Sequence, residues 1–471
     1  MDKKHKIEFF NSVAKDRDRW KNKNSYYYRK IAQLLKFSIP EGSTVLELGC
    51  GTGGLLNDLK PSRGVGVDFS SRMVEIAKDK YPHLTFIEMD AENLALNEKF
   101  DYVVMSDMIG HIEDVQLMFE RLHSVCHPKT KIVITYYNFA WEGILKTGEK
   151  LKFKMREFMQ NWLSKHDIKN LLNLANFEEI RVGGALLFPV YIPIISEFLN
   201  KYLSKMFWLQ NLCFINYVIA RPDPKIFYGN DDFSCSVIIP ARNERENIER
   251  AVEEIPQMGK FTEIIFVEGN STDNTLQEIQ RVCEKYKDKR NLKYAVQDGR
   301  GKKDAVFKGF DMASGDILMI VDADLTVSSR DLPKFYNAIV SGMGEFINGS
   351  RFVYPREKEA MRFLRILANK FFSLLFSWIL GQYLKDTLCG TKVIMKSDYE
   401  KLKKDSAYFG DFDKYGDFDL ILGSYKNSLK IVEVPIHYKS RTYGSTNIST
   451  WKGGSILLRS ALFAMKKVKF I

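Results

Sequence analysis

Ile317-Leu318-Met319-Ile320-Val321-Asp322-Ala323-Asp324 runs from five apolar residues straight into two carboxylates. An apolar run of that length reads as a buried strand that ends at a surface loop. Carboxylates at i and i+2 on such an exit can share one divalent cation. Oxygen ligands of this kind suit Mg²⁺ or Mn²⁺, which keep further coordination positions for phosphate and water. Alone the triplet decides little. Two more units of strand and polar loop precede it, Val237-Ile238-Ile239-Pro240-Ala241-Arg242-Asn243-Glu244 and Ile264-Ile265-Phe266-Val267-Glu268-Gly269-Asn270-Ser271-Thr272-Asp273. A basic glycine loop, Asp298-Gly299-Arg300-Gly301-Lys302-Lys303-Asp304-Ala305, stands between them and the acidic triplet.

That ordered series is what a pocket for a nucleotide-diphosphate sugar needs. It resembles the family 2 glycosyltransferases, specifically the branch of dolichyl- and polyprenyl-phosphate sugar transferases. Gly349-Ser350-Arg351, Asp386-Thr387-Leu388-Cys389-Gly390-Thr391-Lys392 and Val434-Pro435-Ile436 with Arg441 and Gly444 extend the match. The resemblance covers nearly all of the chain from about residue 233 onward and implies a GT-A fold. It implies that Asp324 touches the metal, and that Asp322 either lies toward the ribose or shares the cation. Pro240, Asn243, Glu244, Glu268, Ser271 and Asp273 would grip base and ribose. Arg351 and Arg441, each in a motif of this branch, are assigned with Asp386 to the donor and acceptor phosphates, since an arginine fork matches phosphate oxygens at two points. Lys302 and Lys303 either reach phosphate from their glycine loop or simply face solvent. Two departures leave the base preference and the metal shell open. Glu268 stands where relatives often carry Asp, and Thr326 where some polyprenyl enzymes place a metal-reaching Gln.

Family 2 enzymes that glycosylate hydroxyls use a carboxylate base, often near a (Q/E)xxRW sequence. None occurs here. A lipid phosphate is already anionic and needs no base, so the absence favours that acceptor. The counter-indication is the acid cluster Asp411, Asp413, Asp417 and Asp419, in which Asp417 is the candidate base for a hydroxyl acceptor.

The front half carries a different glycine turn, Val45-Leu46-Glu47-Leu48-Gly49-Cys50-Gly51-Thr52-Gly53-Gly54. Gly49, Gly51 and Gly54 fit GxGxxG, and Asp68 closes the next apolar strand, so a dinucleotide site has to be weighed. Glu47, the tighter Gly49-Gly51-Gly53 spacing and the acidic loop Asp90-Ala91-Glu92 point elsewhere. Together they resemble class I S-adenosylmethionine (SAM)-dependent methyltransferases, with their Rossmann-like seven-stranded fold. The resemblance places Gly49, Gly51 and Gly53, beside Glu47, under the amino-acid part of SAM. It puts Asp68 on the ribose hydroxyls, Asp90 with Ala91 at the adenine amine, and Ser106 on the pocket floor. A degenerate fold that binds nothing is the bland alternative. Asp107 and His111 follow the fourth strand, where a base can sit, although a packed histidine is the simpler reading.

At 471 residues, 45% of them hydrophobic, the chain suits two α/β domains. The expected division is a methyltransferase domain over 1–222, with residues 1–40 as a helical cap, a linker over 223–232 and a glycosyltransferase domain over 233–471. Trp20, Tyr26, Tyr27 and Tyr28 of the cap either cover the cofactor pocket or are plain core. Six scattered cysteines without a CxxC indicate neither a zinc site nor a disulfide framework, and they suit a reducing cytosol. The formal charge of +11 fits phosphorylated substrates or an anionic membrane face. Nucleic acid is not expected, because the lysines are dispersed and no recognition motif appears. The apolar stretches 185–195 and 371–380 are too short to span a bilayer. The helix expected over Met361–Leu380 has a broad apolar face with flanking basic residues, which fits either a membrane interface or packing. The same choice applies to the C-terminal helix around Leu457–Phe463. A cytoplasmic enzyme, peripheral on the cytoplasmic membrane face, is the resulting expectation.

Overall fold

In the front half, seven strands alternate with helices: β1 Thr44–Leu48, β2 Arg63–Asp68, β3 Thr85–Glu88, β4 Phe100–Ser106, β5 Cys126–Tyr137, β6 Phe177–Ala185 and β7 Ile215–Pro222. They form one sheet in the order β3-β2-β1-β4-β5-β7-β6, parallel except for β7, which runs antiparallel to both neighbours. Val45, Leu46, Leu48, Val103, Val104 and Met105 are fully buried, as strands covered on both faces require. The strand order reverses between β1 and β4, which opens a crevice at the carboxyl ends of those strands. β6 and β7 outrun the apolar runs that announce them, Phe177–Val182 and Asn216–Ala220. They pair in antiparallel register from Phe177↔Pro222 to Ala185↔Ile215, so backbone pairing carries the ladder through Gly183 and Gly184. The helices Lys3–Lys23 and Ser25–Ser38 precede the sheet.

In the back half, the strands are β8 Cys235–Ala241, β9 Thr262–Glu268, β10 Asn291–Val296, β11 Ile317–Ile320, β12 Phe346–Ser350, β13 Lys392–Met395 and β14 Ile431–Pro435. The sheet order is β10-β9-β8-β11-β13-β12-β14, and only β13 is antiparallel to its neighbours. β11 is shorter than its apolar run by Val321, whose N–H still continues the ladder to the Ile238 carbonyl at 3.0 Å. Because β13 is reversed, it starts at Lys392 on the same edge where β8, β9, β11 and β12 end. All the loops that carry candidate site residues therefore leave from one edge.

This computed structural model describes residues 3–155, 158, 160–226, 233–351, 353, 363–409, 416–439 and 450–470, with the backbone alone at 363–369, 406–407 and 450–456. The chain divides into two compact units, Met1–Phe227 and Tyr228–Lys469. All six cysteines are free thiols. Among the described residues no helix is long and apolar enough to cross a membrane.

The helix Phe363–Leu380 divides its apolar residues. Phe372, Phe376 and Ile379 are buried, with Phe376 stacked on Phe418, while Phe371 and Leu374 are exposed. Its serines turn inward: Ser373 Oγ donates to the Leu384 carbonyl at 2.7 Å, and Ser377 Oγ accepts the Leu384 N–H at 2.9 Å. The C-terminal helix Thr450–Ala464 packs on it, burying Leu457 and Ala461 and leaving Leu458 and Leu462 outside.

Candidate functional sites

At the exit of β11, Asp322 pairs with Lys302, Nζ to Oδ1 2.6 Å. Burial pushes the Asp322 carboxyl up, but Lys302, then Lys392 and Arg351, outweigh it and hold the group below its ordinary value. Asp322, and behind it Asp417, keep the Lys302 ammonium charged despite its burial. Gly390 makes this position feasible, since a Cβ there would lie 1.9 Å from Asp322 Oδ2. Asp324 Oδ1 accepts from the Thr326 N–H at 3.1 Å and from Thr326 Oγ1 at 2.9 Å. Thr326, a departure from the family pattern, thus orients the carboxylate.

The β8 and β9 loops are tied to each other. Asn243, at φ +56°, donates its N–H to Ser271 Oγ at 3.0 Å and accepts from the Thr272 N–H at 2.8 Å. Glu268, buried, accepts from the Ser271 N–H at 2.6 Å, and Asp273 accepts from the Thr275 N–H at 3.0 Å. Glu244 is also buried and holds Asn247 Nδ2 at 2.7 Å. Pro240 lies on β8 just before this loop. The candidate base and ribose contacts are therefore brought together, several of them already employed in shaping the loops.

Arg351 does not stand open on the edge. Its Nε and Nη2 grip Asp386 Oδ2 and Oδ1 at 2.7 and 2.8 Å, and its backbone N–H adds a third bond at 3.1 Å. Its guanidinium also lies over the Tyr438 ring. Asp417 opens the helix Asp417–Lys426 behind Gly416, at φ +81°, and pairs with the fully buried Lys392 at 3.1 Å. Lys303 pairs with Asp419 at 2.6 Å rather than facing solvent. Arg441, Gly444, Asp411 and Asp413 lie outside the described residues. The sequence reading missed Lys392, although its place in the Asp386–Lys392 motif marked it, and missed the buried hydroxyls of Ser350 and Thr391, which have no hydrogen-bond partner.

In the front unit, Gly49, Gly51 and Gly53 all take positive φ, and the space above Gly51 is open. Asp68 Oδ2 accepts from the Gly51 N–H at 2.8 Å and Oδ1 from the Ser70 N–H at 2.9 Å. Burial raises its carboxyl above the ordinary value. Asp90 caps the turn Ala91–Asn93, and Ser106 Oγ accepts from Thr135 Oγ1 at 3.0 Å. The helix Lys3–Lys23 lies across these loops. Lys3 bonds Asp90 and reaches Glu92 at 2.8 Å, Asn11 Oδ1 accepts from Ser70 Oγ at 2.6 Å, and Asp18 accepts from Thr52 Oγ1 at 2.8 Å. Tyr27 hydroxyl donates to Asp107 at 2.5 Å, and Phe10 meets His111 edge-on at 5.3 Å. Nothing in the periodicity of the first helix marks those polar residues as contacts.

Glu47 is buried with Oε2 unpartnered, and burial, only partly offset by Lys21, pushes its pKa up to about 8. The unfolded chain ionises at the ordinary carboxylate value while the folded chain keeps its proton to about 8. In the absence of ligand, stability should therefore fall as pH rises through that window. Glu47→Gln should flatten the slope, read by urea unfolding across the window.

Residues 236–403 match the family model for glycosyl transferase family 2, and residues 19–182 match that for a methyltransferase domain. The chain joins a methyltransferase domain to a family 2 glycosyltransferase domain. It is 32% identical to the dolichol-phosphate mannosyltransferase of Pyrococcus furiosus over 45% of this chain and 58% of that protein. Glycosyltransferase AglD of Haloferax volcanii is 26% identical over 48% of this chain and 36% of its own length. Phosphoethanolamine N-methyltransferase 2 of Caenorhabditis elegans is 30% identical over 29% of this chain and 33% of that protein. The chain thus spans 33–58% of the length of these relatives.

Proposed function

We propose that the back half transfers a sugar from a nucleotide-diphosphate donor to a lipid acceptor, a polyprenyl phosphate or a lipid-linked glycan, and that the front half methylates a sugar or glycan with SAM. The observation that carries the first reading is the gathering of Asp322, Asp324 and Lys302 at the end of β11, beside the buried Arg351–Asp386 pair. Among the described residues no cluster of three or more His, Cys, Asp or Glu could hold a metal. Two hard carboxylates suffice for Mg²⁺ or Mn²⁺ when substrate phosphates complete the shell. Bound there, the cation would act as a Lewis acid on the leaving diphosphate. Thr326 fixes the Asp324 carboxylate, and Lys302 supplies a cation at hydrogen-bond distance from Asp322. Pro240, Asn243, Glu244, Glu268, Ser271 and Asp273 hold base and ribose. Arg351, fixed by Asp386, and Arg441 are assigned to phosphate. Asp417 is committed to Lys392, which favours an acceptor that needs no base.

The test is a screen of nucleotide sugars with dolichyl phosphate and Mg²⁺ or Mn²⁺, following nucleoside diphosphate release. Transfer only to water-soluble hydroxyl acceptors, abolished in Asp417→Asn, would replace the lipid-phosphate reading.

For the front half, the positive-φ glycine turn with Asp68 bonded beneath it supports SAM, whose bound sulfonium supplies the methyl group. Glu47, Gly49, Gly51 and Gly53 would receive its amino-acid part, Asp68 the ribose, Asp90 and Ala91 the adenine, and Ser106 the floor. Asp68→Ala should weaken SAM by about 1–3 kcal/mol, because buried hydroxyls lose a charged acceptor. Calorimetry checks it; unchanged affinity with an intact fold means that the ribose is held elsewhere. The second reading, a non-catalytic binding or docking module, rests on Lys3 occupying Asp90. Methyl transfer to a glycan extract would exclude it.

A further inference from the structure

The connection between β6 and β7 is built inside out. Its helix Ile195–Lys201 and the turn after it bury Ser196, Asn200 and Ser204, spaced four apart, and expose Ile195, Phe198 and Tyr202. The inward polar groups are satisfied. Ser196 Oγ accepts the Ile192 N–H and donates to the Val190 carbonyl, both at 2.7 Å. Asn200 accepts the Phe188 N–H at 2.8 Å and donates to the Phe188 carbonyl at 2.7 Å, and Ser204 Oγ donates to the Asn200 carbonyl. These bonds fix the loop so that apolar tips project: Ile194 is 84% exposed, Phe207 79% and Trp208 72%. Ile194 is moreover held at φ +66°, a conformation that β-branched residues avoid. Strain of this sort persists where the surroundings over-determine it, commonly at functional positions. Trp141 Nε1 donates to the Leu212 carbonyl at 3.0 Å and so ties the connection to the segment that exposes Ile144, Leu151 and Phe153. β6 runs parallel to β5, so this connection leaves from the sheet edge that carries the glycine turn.

We propose that this surface seats the methyltransferase domain on an anionic lipid bilayer. A bilayer is favoured as occupant because the exposed tips of this connection include Trp208, Tyr191 and Tyr202, side chains suited to the headgroup level, while Ile144, Leu151 and Phe153 line an open apolar hollow of about 480 Å³ on the neighbouring segment. Lys150, Lys152 and Lys201 are exposed on the same two segments, complementary to anionic headgroups, while Lys146 is paired with Glu142. The surface lies on the membrane without crossing it. That its methyl acceptor is lipid-anchored follows only if the lipid-acceptor reading above holds; the docking itself does not depend on it.

The test uses the full chain and vesicles of phosphatidylcholine with or without phosphatidylglycerol. Sedimentation with the anionic vesicles should fall with salt, and brominated lipid should quench fluorescence that Trp208→Phe removes. The double variant Phe207→Ser, Trp208→Ser, its fold checked by circular dichroism, should partition on the order of tenfold more weakly. Ile194→Ser serves as a second variant and should act in the same direction. No association of the wild type, or undiminished association of both variants, overturns the proposal. So does a dimer in solution that the variants convert to monomer, which would make the face an interface between copies. Vesicle binding through these residues without sugar transfer to dolichyl phosphate would leave the surface standing and remove the acceptor reading.

Discussion

Asp324→Ala should lower sugar transfer by about 10³-fold, the rate equivalent of the several kcal/mol that a Lewis acid contributes on a leaving diphosphate. The effect should exceed that of changing any neighbour, because Asp324 and Asp322 are the only carboxylates that the acidic triplet offers a cation. Thr326→Val, which removes the hydroxyl bond that orients Asp324, should cause a smaller loss and a weaker dependence on metal concentration. Steady-state rates with Mg²⁺ or Mn²⁺ titrated against EDTA give the answer. Full activity of Asp324→Ala in EDTA would end the metal reading.

Arg351→Ala should cost about 3–5 kcal/mol of stability, since it strands the buried Asp386 carboxylate. It should also weaken a pH dependence. Burial pushes Asp386 up, but Arg351 more than compensates and holds it below its ordinary value. That contribution is present above the unfolded pKa and is lost as pH falls through the lowered folded one. Without the guanidinium, the backbone N–H groups of residue 351 and Leu388 are left to offset burial, so the folded pKa rises and less stability is lost on acidification. Replacing both residues by apolar ones of similar volume should recover most of the loss. Denaturant titrations of the three proteins at several pH values distinguish a stranded charge from simple loss of contacts.

Strand positions were legible because strands buried on both faces read as unbroken apolar runs, and the acids that end β2 and β11 stood at their predicted places. Their ends were not legible where pairing overrode composition, as in Gly183-Gly184-Ala185. For the candidate site, residue types and order could be read, but side-chain commitments could not. Sequence cannot tell that Asp386 takes the fork of Arg351, that Lys392 finds Asp417 across 25 positions, or that Gly390 exists to admit Asp322. Those pairings depend on which strand is reversed, and β13 carries no periodicity that reveals its direction. The inverted helix Ile195–Lys201 was hidden for a related reason. An amphipathic pattern gives two faces, and only tertiary contacts say which one looks inward.

The first helix touches the loops after β1, β2 and β3 through Asp18, Asn11 and Lys3. These are the loops to which the SAM reading assigns glycine turn, ribose and adenine. A ligand entering at that edge would therefore meet one helix, Lys3–Lys23, bonded to all three loops and separated from the next helix at Asn24. On the SAM reading, Asp90 would have to exchange the Lys3 ammonium for the neutral adenine amine. Occupancy would then be governed by a competition inside the chain as much as by the pocket's own fit, and residues far from the methyl group would set how long the cofactor stays.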